Sequence, residues 1–280
     1  MQWSIATTCL GGTLEAKLSA AAKAGFHAVE IFANDLTCFH GTPREVRRMA
    51  DDLGLAIAAL QPLRDFEAMP EPQRQCNFAR AERTFALMHE LGTDLLCICS
   101  KAWGREVKDW MTAWEMVKRA DRPNLGVVLD SFHTFVRQNP VAPITQIPGH
   151  RITLVQVADA PDLVMDPLSL SRHYRCMPGQ GDYPIAEFLR AVASTGYAGP
   201  ISLEVFNDQF RSVAPSQIAV DGMRALQWYF DRLGLPVTAK KAHEPAPLPA
   251  IPRIHHLEFV EFTANAFSSI HRRLRTGSSS

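Results

Sequence analysis

The most constraining feature of this 280-residue sequence is the alternation of short apolar runs with longer segments of helical period. This is the pattern of parallel βαβ units, in which the apolar or β-branched runs form strands and the longer segments form helices. Strands are predicted at 3–7, 28–32, 55–60, 94–99, 125–130, 152–157 and 201–205. Helices are predicted near 14–24, 43–53, 75–91, 106–119, 184–194 and 215–233. Pro43, Pro184 and Pro215 suit first helical turns, and Gly25, Gly54 and Gly92 suit left-handed helix ends.

Polar residues close most of the predicted strands: Glu30, Gln61, Asp130, Gln156 and Glu204. A doubly wound sheet would show the same alternation, but it gives no reason for polar residues at nearly every strand end. In a (β/α) barrel these ends form the face that carries the active site. The sequence therefore predicts an α/β protein with a TIM-type barrel over residues 1–235.

The barrel is predicted to lack one of its units. A barrel of this class normally closes with eight strands, and seven are recognisable here. The stretch from Cys99 to Leu125 holds one helix and no strand, because the polar segment 100–105 leads directly into that helix. The missing strand is thus predicted to belong after Cys99.

Composition excludes several classes of function. Lys plus Arg and Asp plus Glu both number 29, so the chain has no basic excess for binding a nucleic acid. It has neither a leader pattern at its start nor an apolar run of about 18 residues, which predicts a protein that is neither secreted nor membrane-bound. The six cysteines are scattered, and Cys97 and Cys99 lie on one strand face, where packing is the simplest interpretation. We expect a cytoplasmic protein that acts on a small molecule.

Oxygen donors at three strand ends form the candidate metal site. Asp130, Gln156 and Glu204 each close an apolar run, and carboxylate and amide oxygens suit Mn²⁺, Mg²⁺ or a similar cation. The alternative is that each is a polar strand end that caps a helix or faces water. His133 follows Asp130 closely and could be a ligand, a general base or a carboxylate partner.

Three further basic residues are candidates for binding an acidic substrate. Arg172 and His173 precede the turn Pro178-Gly179-Gln180-Gly181, which would hold them on a rigid loop, and Arg64 follows Gln61-Pro62-Leu63. A solvated basic loop is the alternative interpretation for all three.

At these residues the chain resembles a known family, the 3-dehydroshikimate dehydratases of the xylose-isomerase-like sugar phosphate isomerase/epimerase superfamily. It is most similar to those fused to a 4-hydroxyphenylpyruvate dioxygenase-like domain. The resemblance runs from about residue 3 to residue 235 and is carried by segments 4–7, 25–36, 61–67, 129–133, 155–160, 172–181 and 203–208.

The resemblance implies a metal site with a defect. In the family the metal is held by two glutamates, an aspartate and a glutamine, of which Asp130, Gln156 and Glu204 match three. The remaining glutamate precedes an Ala-Trp-Gly segment, whereas here Ala102-Trp103-Gly104 follows Cys99-Ser100-Lys101. The missing strand and the missing glutamate ligand are therefore predicted at the same place in the sequence, after Cys99. Glu30, or a water in an open position, could take the place of the missing ligand.

The implied activity is the dehydration of 3-dehydroshikimate to protocatechuate with Mn²⁺, Mg²⁺ or Co²⁺ as cofactor. His133 would be the base, while Arg64, Arg172 and His173 would hold the substrate's carboxylate and hydroxyls. Loss of a ligand-bearing strand would impair this activity. Two alternatives remain: a sugar isomerase or epimerase on the same barrel, and a non-catalytic remnant. The unpaired sheet edges could join a second copy into a homo-oligomer.

The composition changes at the end of the barrel. Residues 236–253 are rich in proline and are expected to form an extended linker. Residues 254–280 begin like the dioxygenase-like domain and then lose any strand pattern. They are expected to be a truncated remnant of that domain and poorly ordered.

Overall fold

The computed structural model describes residues 1–64, 70–99 and 109–237. These parts of the chain contain seven strands, so the predicted number is confirmed. The strands are β1 Gln2–Ala6, β2 Ala28–Phe32, β3 Ala56–Arg64, β4 Leu96–Cys99, β5 Val127–Asp130, β6 Ile152–Val157 and β7 Pro200–Leu203.

The helices alternate with the strands and include all six predicted ones. In chain order the helices are α1 Leu14–Ala24, α2 Ala33–Cys38, α3 Pro43–Asp52, α4 Gln73–Leu91, α5 Trp110–Ala120, α6 Ser131–Val136, α7 Pro167–His173, α8 Ile185–Ser194, α9 Asp208–Ser212 and α10 Pro215–Leu233. Gly25, Gly54 and Gly92 have positive φ, as predicted for helix ends. None of the described helices is long and apolar enough to cross a membrane.

All pairings in the sheet are parallel, in the order β4-β3-β2-β1-β7-β6-β5. The sheet curves into a nearly closed barrel, and within the described residues its two edges are β4 and β5. The opening therefore lies directly after Cys99, where the sequence places the missing strand. The segment Ala102-Trp103-Gly104 and the start of the fourth predicted helix, at residue 106, lie outside the described residues.

The strands on the two sides of the opening share one interior. Ala59 of β3, Cys97 of β4 and Leu154 of β6 form a buried apolar cluster, against which Val128 of β5 packs. A larger core lies between the sheet and the helices and includes Ile5, Val29, Leu129, Val155 and Leu203. Cys97 thus packs as predicted, and all six cysteines are free.

Large apolar side chains are exposed on β4 and on α4, the helix that precedes it in the chain. Phe85 of α4 is 55% exposed and Ile98 of β4 is 48% exposed. In a complete barrel, helices cover the outer face of the strands. These exposed side chains are what the loss of one βα unit would leave behind.

Replacing Leu154 by alanine tests the shared interior. Because the side chain is fully buried, Leu154→Ala should lower the free energy of unfolding by about 2–5 kcal/mol, measured by urea denaturation. Leu163→Ala, at a side chain that is 53% exposed, is the matched control and should change it by less than about 0.5 kcal/mol. Equal effects of the two substitutions would contradict the interior packing.

Candidate active site

The five polar residues predicted at strand ends converge inside one end of the barrel. Glu30, Gln61, Asp130, Gln156 and Glu204 are all buried. Pairing of adjacent strands sets their positions, since Asp130 lies opposite Gln156 and Gln156 lies opposite Ser202, two residues before Glu204. The three residues predicted as metal ligands therefore come from three neighbouring strands.

Glu30 is the hydrogen-bonding centre for the two amide side chains. Its Oε2 accepts from Gln61 Nε2 at 3.0 Å and from Gln156 Nε2 at 2.8 Å. Its Oε1 is buried and has no hydrogen-bond partner in the described part of the chain. Burial raises the pKa of Glu30 to about 8, and the negative charge of Glu204 adds to this effect.

Arg175 joins the other two carboxylates. Its Nη1 donates to Asp130 Oδ2 at 3.1 Å, to Glu204 Oε2 at 2.9 Å and to the Glu204 carbonyl oxygen at 3.1 Å. The side chain is only 2% exposed, and its guanidinium carbon lies 4.3 Å from the centre of the Phe132 ring. Burial raises the pKa of Glu204 to about 7, although Arg175 opposes that shift.

The segment after Arg175 is fixed by a buried carboxylate. Asp159 accepts hydrogen bonds from the backbone N–H groups of Gly179, Gly181 and Tyr183. Asp159 and Cys176 also form an antiparallel bridge. The predicted turn is therefore a tightly bonded loop, and it holds Arg175 inward rather than presenting it to solvent.

His133 lies beside this cluster in the first turn of α6. Asp130 Oδ1 caps that helix by accepting from the Phe132 backbone N–H at 2.8 Å. His133 Nε2 lies 3.3 Å from Arg175 Nη2 and 3.6 Å from Asp130 Oδ2. Desolvation lowers the pKa of His133 and outweighs the Asp130 carboxylate, which acts in the opposite direction. A neutral ring with Nε2 facing the site can accept a proton.

The remaining predicted residues lie outside the buried cluster. Arg64 ends β3 with an exposed side chain, and Arg172 is also exposed. His173 Nδ1 pairs with Asp208 Oδ2 at 2.7 Å on the surface, where His173 lines a cavity of about 380 Å³. The substrate-binding roles of these three residues remain predictions.

Arg175 was not among the site residues predicted from the sequence, although it lies in the predicted basic loop. The available signal was the apolar pair Cys176 and Met177 directly after it, which indicates that the chain turns inward there. Composition of the loop alone could not show which of its basic groups is buried.

The donor set has the chemistry that a divalent cation needs, although the site is not preformed. Asp130, Gln156 and Glu204 can offer oxygen atoms to a hard cation. Glu30, whose Oε1 has no hydrogen bond, is joined to Gln156 through its Oε2. Within the described ranges, no group of three or more His, Cys, Asp or Glu side chains is arranged to hold a metal. Arg175 instead takes up one oxygen of Asp130 and one of Glu204, so a cation would share or replace those contacts.

A barrel with buried acid, amide and imidazole groups at its strand ends has the architecture of a TIM-barrel enzyme. The chain belongs to the xylose isomerase-like TIM barrel family, which matches residues 18–111 and 101–229. The two matched ranges overlap at residues 101–111, which follow β4 in the chain. Within the described residues, β4 is one edge of the open sheet.

The chain is also similar to individual proteins, of which three are described here by their identity and coverage. A 3-dehydroshikimate dehydratase of Pseudomonas putida is 44% identical over 301 residues, covering 92% of this chain and 47% of that protein. A 3-dehydroshikimate dehydratase of Neurospora crassa is 24% identical and covers 87% of this chain and 94% of its own. The solved structure of a xylose isomerase-like TIM barrel/4-hydroxyphenylpyruvate dioxygenase fusion protein matches at 43% identity and a TM-score of 0.80, over 88% of this chain and 46% of the other.

The chain spans about half the length of its bacterial relatives. The alignment with the Pseudomonas putida protein extends over 301 positions while using 92% of these 280 residues, so that protein has residues without a counterpart here. Together with the divided family match, this supports the loss of one unit after Cys99.

Substituting Arg175 tests the buried ion cluster. Arg175→Met should lower the free energy of unfolding by about 3–5 kcal/mol in urea denaturation, because two buried carboxylates lose their common partner. Arg211→Met removes an exposed ion pair with Asp208 and should cost less than about 1 kcal/mol. A similar small cost for both would show that Arg175 does not hold the carboxylates.

Proposed function

We propose that this chain is a metal-dependent lyase that dehydrates 3-dehydroshikimate to protocatechuate. The observation that carries the proposal is the convergence of Asp130, Gln156, Glu204 and His133 at the strand ends of a chain 44% identical to 3-dehydroshikimate dehydratases. The bacterial dehydratases that are 44% identical are about twice as long as this chain, so the transfer of their activity to it is part of the proposal.

Asp130, Gln156 and Glu204 would hold a divalent cation, for which Mn²⁺, Mg²⁺ and Co²⁺ are the candidates. Among proteins of the same fold, one solved structure is described as IOLI with a binding zinc atom, at 18% identity and a TM-score of 0.75. A bound cation would polarise the ketone and stabilise negative charge on its oxygen.

His133 would remove a proton from the carbon next to the ketone. Desolvation lowers the pKa of its ring, although the side chain is 37% exposed. Its Nε2 lies 3.3 Å from Arg175 Nη2, so Nε2 would take the substrate proton once Arg175 moves away. Departure of the hydroxyl from the following carbon then gives the double bond, and the proton and hydroxide leave together as water. Loss of a second carbon-bound proton and enolisation give the aromatic ring without any oxidant.

The substrate's carboxylate needs a cationic partner. We propose Arg64, Arg172 and His173 for this role, because a guanidinium fork suits a planar carboxylate. Arg64 stands at the carboxyl end of β3, on the same barrel face as the site. His173 lines the neighbouring cavity with Tyr174 and Asn207.

A sugar isomerase or epimerase on the same scaffold is the second candidate. An inosose isomerase of Bacillus subtilis is 30% identical, but over only 37% of this chain. The longer and stronger similarity to the dehydratases favours the acid substrate. Protection against thermal unfolding by a sugar, and not by 3-dehydroshikimate, would favour the isomerase.

The six free cysteines support a reducing compartment, and we propose the cytoplasm. Within the described residues, the outer edges of β4 and β5 are unpaired, which supports our proposal that the barrel can pair with a second copy.

The activity is tested by incubating the protein with 3-dehydroshikimate and Mn²⁺ and recording the ultraviolet absorbance of the aromatic product. His133→Gln should lower kcat by about 10²–10⁴-fold, since it removes the base. His150→Gln alters an exposed imidazole before β6, at the opposite barrel face, and should leave kcat unchanged. Equal rates for the two variants would exclude His133 as the base.

A second test uses a variant of this protein in which the βα unit of the Pseudomonas putida relative is inserted after Cys99. We expect this protein to be more active by about 10- to 100-fold or more, because it regains a carboxylate ligand. Product formation in neither protein would favour a non-catalytic remnant.

A further inference from the structure

Glu30 is the most unusual buried group that the proposed mechanism leaves unused. Its side chain is completely enclosed, with 0% exposure. One carboxylate oxygen is engaged by Gln61 and Gln156. The other makes no hydrogen bond of normal geometry in the described part of the chain, although the Ser202 hydroxyl lies close enough to the carboxyl to lower its pKa. An ionised carboxylate in that position is costly unless another group or ion satisfies it.

The location of Glu30 ties it to the candidate metal ligands. Gln156 Nε2 donates to Glu30 Oε2 at 2.8 Å, so the amide nitrogen of Gln156 is turned towards Glu30. The amide oxygen of Gln156 is thereby left to face away from that bond, where a cation could use it. Metal ligands are commonly oriented by partners of this kind.

The balance of charge also favours an additional cation. Three carboxylates, those of Glu30, Asp130 and Glu204, are buried in the same region. Arg175 pairs with Asp130 and Glu204, and no contact links it to Glu30 among the described hydrogen bonds and ion pairs. With all three carboxylates ionised, the cluster carries two uncompensated negative charges, which one divalent ion would neutralise.

We propose that Glu30 supplies the carboxylate that completes the divalent-cation site of this chain, in place of the glutamate lost with the missing strand. Oε1 is the coordinating atom, while Oε2 remains bonded to Gln61 and Gln156. Gln61 is then a positioning residue that acts through Glu30. This inference rests on the proposed metal-dependent function.

The test measures binding of Mn²⁺ alone, without substrate, through the loss of the electron paramagnetic resonance signal of free Mn²⁺. Glu30→Gln should raise the Kd for Mn²⁺ at least about 10-fold, the effect expected when a group that supports a metal site is lost. Glu82→Gln makes the same chemical change at an exposed position of α4 and should leave Kd unchanged. Asp130→Asn, at a proposed ligand, should raise Kd as well.

Glu30→Asp gives an independent measurement if the glutamine variant does not fold, which thermal unfolding in a chelator will show. This variant keeps the negative charge but shortens the side chain, so the carboxylate is moved away from the proposed ion. Its Kd for Mn²⁺ should therefore be higher than that of the unmodified protein.

The outcomes separate this inference from the proposed function. Unchanged Kd in both Glu30 variants, with weakened binding in Asp130→Asn, would overturn the role of Glu30 and leave the metal-dependent function standing. Absence of Mn²⁺ binding by the unmodified protein would overturn both.

Discussion

The arrangement of the site depends on the buried contact of Arg175 with Asp130 and Glu204. The guanidinium joins the end of β5 to the end of β7, and the Asp159-bonded loop holds it there. It also faces the Phe132 ring and His133. Enclosing such charges is costly, so each must have partners. Burial raises the pKa of both Glu30 and Glu204, and the neighbouring carboxylates add to these shifts.

The position of the sheet opening explains how these groups stay together. Asp130, Gln156 and Glu204 lie at or directly after the ends of β5, β6 and β7, which pair directly with one another. Within the described residues, the opening lies on the outer side of β5, between it and β4. Loss of a unit there would remove the glutamate that the family resemblance implies, but it would not shift the register of these three strands. A barrel that lacked this unit would therefore keep Asp130, Gln156 and Glu204 together.

The sequence was most informative where local signals decide the structure. Apolar runs and helical periods predicted the seven strands and the six longer helices, and the polar strand ends predicted the site. The short helices α2, α6, α7 and α9 were not predicted, because 5–7 residues are too few to establish a helical period. Arg175 was missed because its burial depends on Asp159 and on the distant strand ends. The hydrogen bonds of Glu30 are likewise tertiary contacts that no local pattern contains.

We propose that the strand-end cluster binds a divalent cation and that Arg175 and the metal compete for its carboxylate oxygens. Anomalous X-ray diffraction from crystals soaked in Mn²⁺ locates the ion and the arginine in one experiment. We expect one anomalous peak bounded by Asp130, Gln156 and Glu204, with Arg175 displaced from at least one carboxylate. If Arg175 keeps both contacts and no anomalous peak appears among these residues, the proposal is wrong.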